Sequence, residues 1–270
     1  MLVDAIGNAH DRVKEAARIV SLVPSLTELL FDLDLGDQLV ARTAFCSEPR
    51  DRVGPVPIVG GTKKVSLRRL RALAPTHVLV NVDETPKALP EEIAVMGIDV
   101  VVTHPLRPAD NLALFRLFGH IFDREQKAEA HAFALTHRLD EACARRPTLP
   151  ARDVLYFIWK EPWMTVSRNT YVAAMLELFG YRTLGHDAEK RYPELTLTPG
   201  LLQQADMILF ASEPYNFTQA DIDDFRATYE PDATTLLCTI DGSMTSWYGS
   251  RAIAALDYLK DFRDRTDQRR

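Results

Sequence analysis

Short apolar runs alternate with amphipathic stretches along this chain. Ile19-Val20-Ser21-Leu22-Val23-Pro24, Leu39 to Ala44, His77-Val78-Leu79-Val80-Asn81, Asp99 to Thr103, Val154 to Trp159, Met207 to Ala211 and Thr235 to Ile240 are rich in β-branched and aliphatic residues. Runs this short without polar alternation predict strands of parallel sheets covered on both faces. Between them, helical spacing predicts helices from Leu26 to about Leu35, Leu67 to Leu73, Glu91 to Met96, Asp110 to Phe122, Tyr171 to Phe179, Leu201 to Gln204, Asp221 to Tyr229 and Ser250 to Phe262. Ser25-Leu26-Thr27-Glu28 has the spacing of a capping box, with Gly36 as the left-handed residue closing that helix. Ser66 caps the next helix.

The longest element lies in the middle. From Arg124 to Arg146 there is no glycine or proline, and Pro147 and Pro150 follow. Ala128, Ala132, Leu135, Leu139, Ala142 and Cys143 form a narrow stripe on an otherwise charged helix. The order of strands and helices before it is repeated after it. Laying Val78-Leu79-Val80 on Ile208-Leu209-Phe210 sets Asp83 on Glu213, so both halves place a carboxylate at the carboxyl end of equivalent strands. The expected fold class is therefore α/β: two Rossmann-like lobes, mostly parallel sheets flanked by helices, joined by one long helix. The lobes are expected over residues 1–122 and 148–270, with 123–147 as the connecting helix and 264–270 as a frayed, charged tail. Ligands of such sheets sit outside the carboxyl ends of the strands, which puts the working site in the cleft between the lobes.

A chain of 270 residues with 46% hydrophobic and 26% charged residues is that of a soluble globular protein, and its net charge of −6 argues against nucleic acid as a partner. Met1 to Lys14 has no apolar run of signal-peptide length, so the chain as written is expected in the cytoplasm, or in the periplasm if an export signal has been left off. No window has the roughly 18 apolar residues of a membrane span. Cys46, Cys143 and Cys238 lack CxxC spacing, and His131 and His137 fall on different helix faces. Neither a disulfide framework nor a metal site is expected. Nothing suggests an obligate dimer, so a monomer is the default.

The candidate chemistry lies on the loops at strand ends, Pro24-Ser25 among them. Gly60-Gly61-Thr62-Lys63-Lys64 lacks the GxxxxGK[ST] frame of a phosphate loop. Its amides and lysines either contact an acidic group on a ligand or form a tight turn with solvated lysines. Trp159 continues a strand and is expected in the core. Trp163, beside Met164, and Trp247 with Tyr248 lie on Pro- and Gly-flanked loops and are expected to stack on a large flat ligand. Arg251 either fixes a ligand carboxylate or amide, or forms a surface ion pair. Cys46 is a soft metal ligand, a reactive thiol or a small apolar loop residue. Asp83, Glu84 and Glu213 have no adjacent histidine or nucleophile motif, which argues against catalysis and for docking or no role.

These residues carry a resemblance. Ile19 to Glu28, Val59-Gly60-Gly61-Thr62-Lys63, Ala74-Pro75, the Trp159 to Thr165 loop, Ser212-Glu213-Pro214-Tyr215 and Ser246-Trp247-Tyr248-Gly249-Ser250-Arg251 resemble the helical-backbone metal receptor superfamily. That is the class of substrate-binding proteins serving cobalamin, haem and iron-siderophore ABC importers; the last three motifs are similar to its cobalamin-binding branch. The resemblance implies a ligand in the cleft and one acidic residue per lobe, Glu84 (or Asp83) and Glu213, docking arginines of a membrane permease. It also implies that Phe45, Trp247 and Arg251 line the cleft. An aromatic that the cobalamin-binding branch places near Gly60-Gly61-Thr62 is absent. The expected function is non-enzymatic binding of a corrinoid, haem or ferric chelate, with no covalent cofactor. The runner-up is a cytoplasmic enzyme or chaperone handling a corrinoid or metal complex on the same scaffold.

Overall fold

In the computed structural model, which describes residues 2–268, nine strands form two sheets: β1 (Ile19–Ser21), β2 (Leu39–Thr43), β3 (Ile58–Gly60), β4 (His77–Asn81), β5 (Asp99–Thr103), β6 (Arg152–Phe157), β7 (Tyr181–Thr183), β8 (Met207–Ala211) and β9 (Leu236–Ile240). The first sheet has the order β3-β2-β1-β4-β5 and the second β7-β6-β8-β9, with every pairing parallel. β1, β4 and β8 are buried throughout, as strands covered on both faces must be.

The repeat seen in the sequence extends to register. In the first sheet His77 pairs with Asp99 and Asn81 with Thr103; in the second Met207 pairs with Leu236 and Ala211 with Ile240. Val20 faces Val78 across β1 and β4 as Leu155 faces Ile208 across β6 and β8. Asp83 and Glu213 thus each lie two residues beyond equivalent strands. In each sheet the chain reverses its direction of travel between these central strands, which is where ligands of open parallel sheets bind.

The chain divides into two compact units. Unit 1 runs up to Pro105 and includes Ala109–Thr136 and Tyr248–Ile253; unit 2 comprises Leu106–Pro108, His137–Trp247 and the chain from Ala254 onward. The long helix, Glu125–Arg145, contributes to both. Ala128, Ala132, Leu135 and Ala142 are buried along it, whereas Cys143, expected on the same stripe, is exposed. Unit 1 centres on Val20, Val78, Val80 and Ile93, unit 2 on Leu155, Phe157, Ile208, Phe210 and Phe225.

Three local expectations are corrected. The first helix is Pro24–Asp32 with Val23 at the N-cap and no side-chain cap, so Ser25 is already inside the helix and the capping box does not form. Asp34, not Gly36, takes the left-handed conformation after it. The last helix, Arg251–Asp267, extends through most of the supposed tail. Asp267 accepts both from Arg152 and from Arg263, whose side chain is 0% exposed and also donates to the carbonyls of Phe179 and Pro150. Two buried guanidiniums sharing one carboxylate hold this end in place. Arg269 and Arg270, also assigned to that tail, lie outside the described residues, as does Met1.

At the other end of the chain, Ala5 N–H bonds the Val102 carbonyl, and the buried Asp4 carboxylate accepts the Val102 amide. His10 lies between Asp4 and Asp99, 3.2 and 2.9 Å away. The first residues are thereby laid along β5, an edge strand of the first sheet.

Candidate functional site

In unit 1 the helix that follows β1 brings Ser25 and Glu28 to the carboxyl end of the sheet. Ser25 is buried. Glu28 accepts two hydrogen bonds from the Arg251 guanidinium at 2.6 and 2.7 Å. Burial pushes the Glu28 carboxyl above its usual range, and the Arg251 charge pulls it back only in part. The pair is bidentate, the geometry that gives guanidinium and carboxylate their strongest contact. Arg251 is therefore paired with Glu28, the residue whose spacing suggests a helix cap.

The adjacent Tyr248 is 5% exposed. Its hydroxyl lies 3.4 Å from the Glu84 carboxylate, to which it donates, and 3.5 Å from Thr103 Oγ1. Burial, reinforced by the Glu84 charge, holds the phenol well above its ordinary range, so it stays a donor. Between these residues, the Gly249 amide donates to Asn111 Oδ1 at 2.6 Å. Asn111 is wholly buried. A polar residue on the apolar face of the Asp110–Ile121 helix was the available signal for it.

The β2 and β3 ends of unit 1 form a second group. Phe45 is 62% exposed, and its ring lies against Gly61, where a Cβ would stand 3.2 Å from Cε2. Gly60 has φ of 144° and its Cα faces the Lys64 carbonyl so closely that a Cβ there would sit 2.2 Å from the oxygen, so the turn needs glycine. Thr62 and Lys63 occupy its tip, and Lys63 Nζ donates to the Asp83 carbonyl at 3.3 Å. Asp83 Oδ2 lies 3.4 Å from His104 Nε2. Cys46 points the other way. It is fully buried, its sulfur 3.2 Å from Thr43 Oγ1, and burial pushes its thiol up. It fills the core as a small apolar residue and is closed to a ligand.

In unit 2 the loop after β6 folds back on itself, Trp159 and Met164 forming a bridge and Met164 a second one to Glu194. This reverses the expected roles of two tryptophans. Trp163, half-buried, packs on the aromatic core at Phe157, Phe225 and Phe217, at ring separations of 4.7, 5.4 and 6.0 Å, and its indole N–H donates to Tyr229 Oη. Trp159 is 40% exposed and meets only the edge of Tyr215 among the described ring contacts. β6 ends at Phe157, two residues before Trp159, so the tryptophan that continues the strand in sequence does not continue it in space.

Trp247 is 9% exposed and donates its indole N–H to Glu213 Oε2 at 2.9 Å. Gly242 lies flat against Glu213; a Cβ there would fall 2.8 Å from the Glu213 backbone. The Gly242 amide donates to Ser212 Oγ. Trp247 and Tyr248, both expected to stack on ligand, instead have nearly buried rings whose polar atoms hold the carboxylates expected to dock a partner. The open aromatic rings at the carboxyl ends of the sheets are Phe45 in unit 1 and Trp159 in unit 2. Among the described residues no group of three or more His, Cys, Asp or Glu side chains is placed to hold a metal ion, and no helix is long and apolar enough to cross a membrane.

Each of the two parallel α/β units has a held carboxylate and an open aromatic ring at the carboxyl end of its sheet. The chain belongs to the periplasmic binding protein family, which matches residues 19–230. It is 24% identical over 250 residues to a vitamin B12-binding protein of Pectobacterium atrosepticum, covering 90% of this chain and 86% of that one. Among solved structures, the periplasmic vitamin B12 binding protein BtuF of Vibrio cholerae superposes with a TM-score of 0.80 at 16% identity, over 92% of this chain and 97% of that one. The periplasmic heme-binding protein RhuT from Roseiflexus sp. RS-1 gives 0.77 at 21% identity, over 93% and 99%. The resemblance carried by the strand-end motifs and the fold class of parallel α/β units are both upheld.

Proposed function

We propose that this protein is the non-enzymatic ligand-binding component of an ABC importer, and that its ligand is a corrinoid, haem or ferric chelate. One observation supports this reading above the rest: both units present a held carboxylate and an open aromatic ring at the carboxyl ends of their strands. In each, a buried aromatic donor, Tyr248 or Trp247, orients a carboxylate, Glu84 or Glu213. In each, an exposed ring, Phe45 or Trp159, remains available to a flat ligand. Large planar ligands are held mainly by apolar and aromatic contact, with a few polar groups fixing orientation. Ser25, Gly61, Thr62, Lys63 and Met164 complete the proposed ligand contacts. The ordered carboxylates, Glu84 (with Asp83) and Glu213, are proposed to meet basic residues of a permease on the far side of the membrane from the cytoplasm. The names of the relatives, binding proteins for vitamin B12 and for haem, support the ligand class.

Titration of the full chain with cobalamin, haem and a ferric siderophore, followed by tryptophan fluorescence and calorimetry, tests the proposal. Saturable binding of one of the three is expected, reduced at least about tenfold, or roughly 1.4 kcal/mol, in Trp159→Ala or Phe45→Ala. Silence for all three overturns it.

A further inference from the structure

Between Arg52 and Val82 the chain carries six basic residues, Arg52, Lys63, Lys64, Arg68, Arg69 and Arg71, and no aspartate or glutamate, within a protein of net charge −6. Three of them converge on a groove of about 550 Å³ in unit 1. It runs from the Gly60 turn along the flank between the helices Leu67–Ala72 and Leu89–Ala94. Val59, Val65, Pro86 and Leu89 supply its apolar lining; Lys63, Lys64 and Arg69 supply positive charge, and Glu92 is the one acid among its lining residues.

The cations are available. Lys63, Lys64 and Arg69 are exposed and form no ion pair among the described residues. The hydrogen bonds of Lys63 and Arg69 go to carbonyls, of Asp83 at 3.3 Å and Ile58 at 3.5 Å, which leaves their charge uncompensated. A concave, partly apolar wall behind like charges concentrates their field on whatever enters. With Glu92 cancelling one charge, the excess suits a ligand carrying two or more negative charges. A guanidinium and two ammonium groups match oxyanion acceptors in donor geometry as well as in sign.

We propose that this groove binds a small polyanion through phosphate or carboxylate oxyanions, held by Lys63, Lys64 and Arg69 over the Val59, Val65 and Leu89 floor. The site shares Lys63 with the proposed ligand contacts but does not depend on them, and it binds anions whether or not a corrinoid or haem is taken up. Calorimetric titration of the full chain with pyrophosphate and, separately, with citrate tests it. Saturable one-site binding of at least one anion is expected, and binding of only one of the two assigns the phosphate or the carboxylate chemistry. The affinity should fall about tenfold or more in Lys64→Gln/Arg69→Gln, rise about two- to threefold in Glu92→Gln, and weaken with added salt as the Debye length shortens. Thermal unfolding confirms that each variant is folded. The control Lys260→Gln, on the exposed surface of the last helix, should bind as the parent does. Absence of saturable binding for both anions, or an equal loss in the Lys260 control, overturns the proposal.

Discussion

The two units solve the same problem with different interactions. Each must hold a carboxylate steady at the carboxyl end of a parallel sheet. Unit 1 holds its Glu84 with a phenol, and three residues further along the chain Arg251 forms the bidentate pair with Glu28. Unit 2 backs its Glu213 with an indole, and its neighbouring β6 loop is anchored by Trp163 in a cluster of Phe157, Phe210, Phe217 and Phe225. Both carboxylates accept from an aromatic donor; the neighbouring elements differ, tied by an ion pair in unit 1 and by aromatic packing in unit 2. The difference teaches that strand-end carboxylates are kept by whatever long-range partner the fold supplies; only their place in the loop just after a central strand is shared.

The strongest way to break this comparison is to remove each anchor. Arg251→Ala leaves Glu28 buried without its counter-charge and is expected to cost about 3–5 kcal/mol, while Glu28→Met/Arg251→Met recovers most of the loss because a dry pair of similar volume avoids the desolvation cost. Trp163→Ala, which strips a half-buried ring from the aromatic cluster, should cost a little less, ~2–4 kcal/mol, with no charged partner whose removal restores it. Trp159→Ala, at a half-open site, should stay within roughly 1 kcal/mol. Urea unfolding of the four variants reads all of these. If the methionine pair is as damaged as Arg251→Ala, the electrostatic account of unit 1 fails.

A finer contrast lies in the two donors. Trp247→Phe deletes a 2.9 Å bond to a carboxylate, and a charge-assisted bond of that length is worth about 1.5–3 kcal/mol. Tyr248→Phe deletes one of 3.4 Å, and its cost should be under about 1 kcal/mol. Equal losses in unfolding free energy would erase the distinction.

The smallest effect concerns pH. The Asp99 carboxylate beside it raises the His10 pKa against the opposing effect of burial, with Asp4 adding to the rise. The same contact lowers Asp99. A raised histidine stabilises fully below its ordinary value of 6.5 and loses that contribution as pH climbs through the higher folded value; a lowered carboxylate stabilises above its ordinary 3.8 and loses the contribution as pH falls through the lower one. His77, whose pKa burial lowers despite Asp99 3.6 Å away, acts in the opposite sense to His10. Exchange protection of the Ala5 amide, corrected for the intrinsic rate, should therefore hold between these two values and weaken above 6.5. His10→Gln should abolish that alkaline weakening.

Much of the fold was legible because buried parallel strands are apolar runs, and the repeat was legible because both halves use the same order. β3 and β7 were not assigned as strands: three residues carry too little periodicity, and β7 follows Gly180 directly. The site was less legible. Ser25 and Glu28 have capping spacing, yet the helix starts two residues earlier, at Pro24, and Arg251, 223 residues away, claims the glutamate. Trp159 and Trp163 exchanged roles because local continuity says nothing about which face a loop turns inward. Trp247 and Tyr248 stand out in the sequence as loop aromatics, but their acceptors, Glu213 and Glu84, are set by tertiary contacts. Asp267 was read as solvated because its two buried arginines are remote or on the helix's inner face.

The short segment around Asp4 has a consequence for self-association. β5 ends its sheet, and an unguarded terminal strand is a template on which another molecule's backbone can polymerise. By occupying the Val102 amide and carbonyl with its own carboxylate and peptide N–H, the protein blunts that template without adding a strand, and trades an adhesive margin for a sealed one.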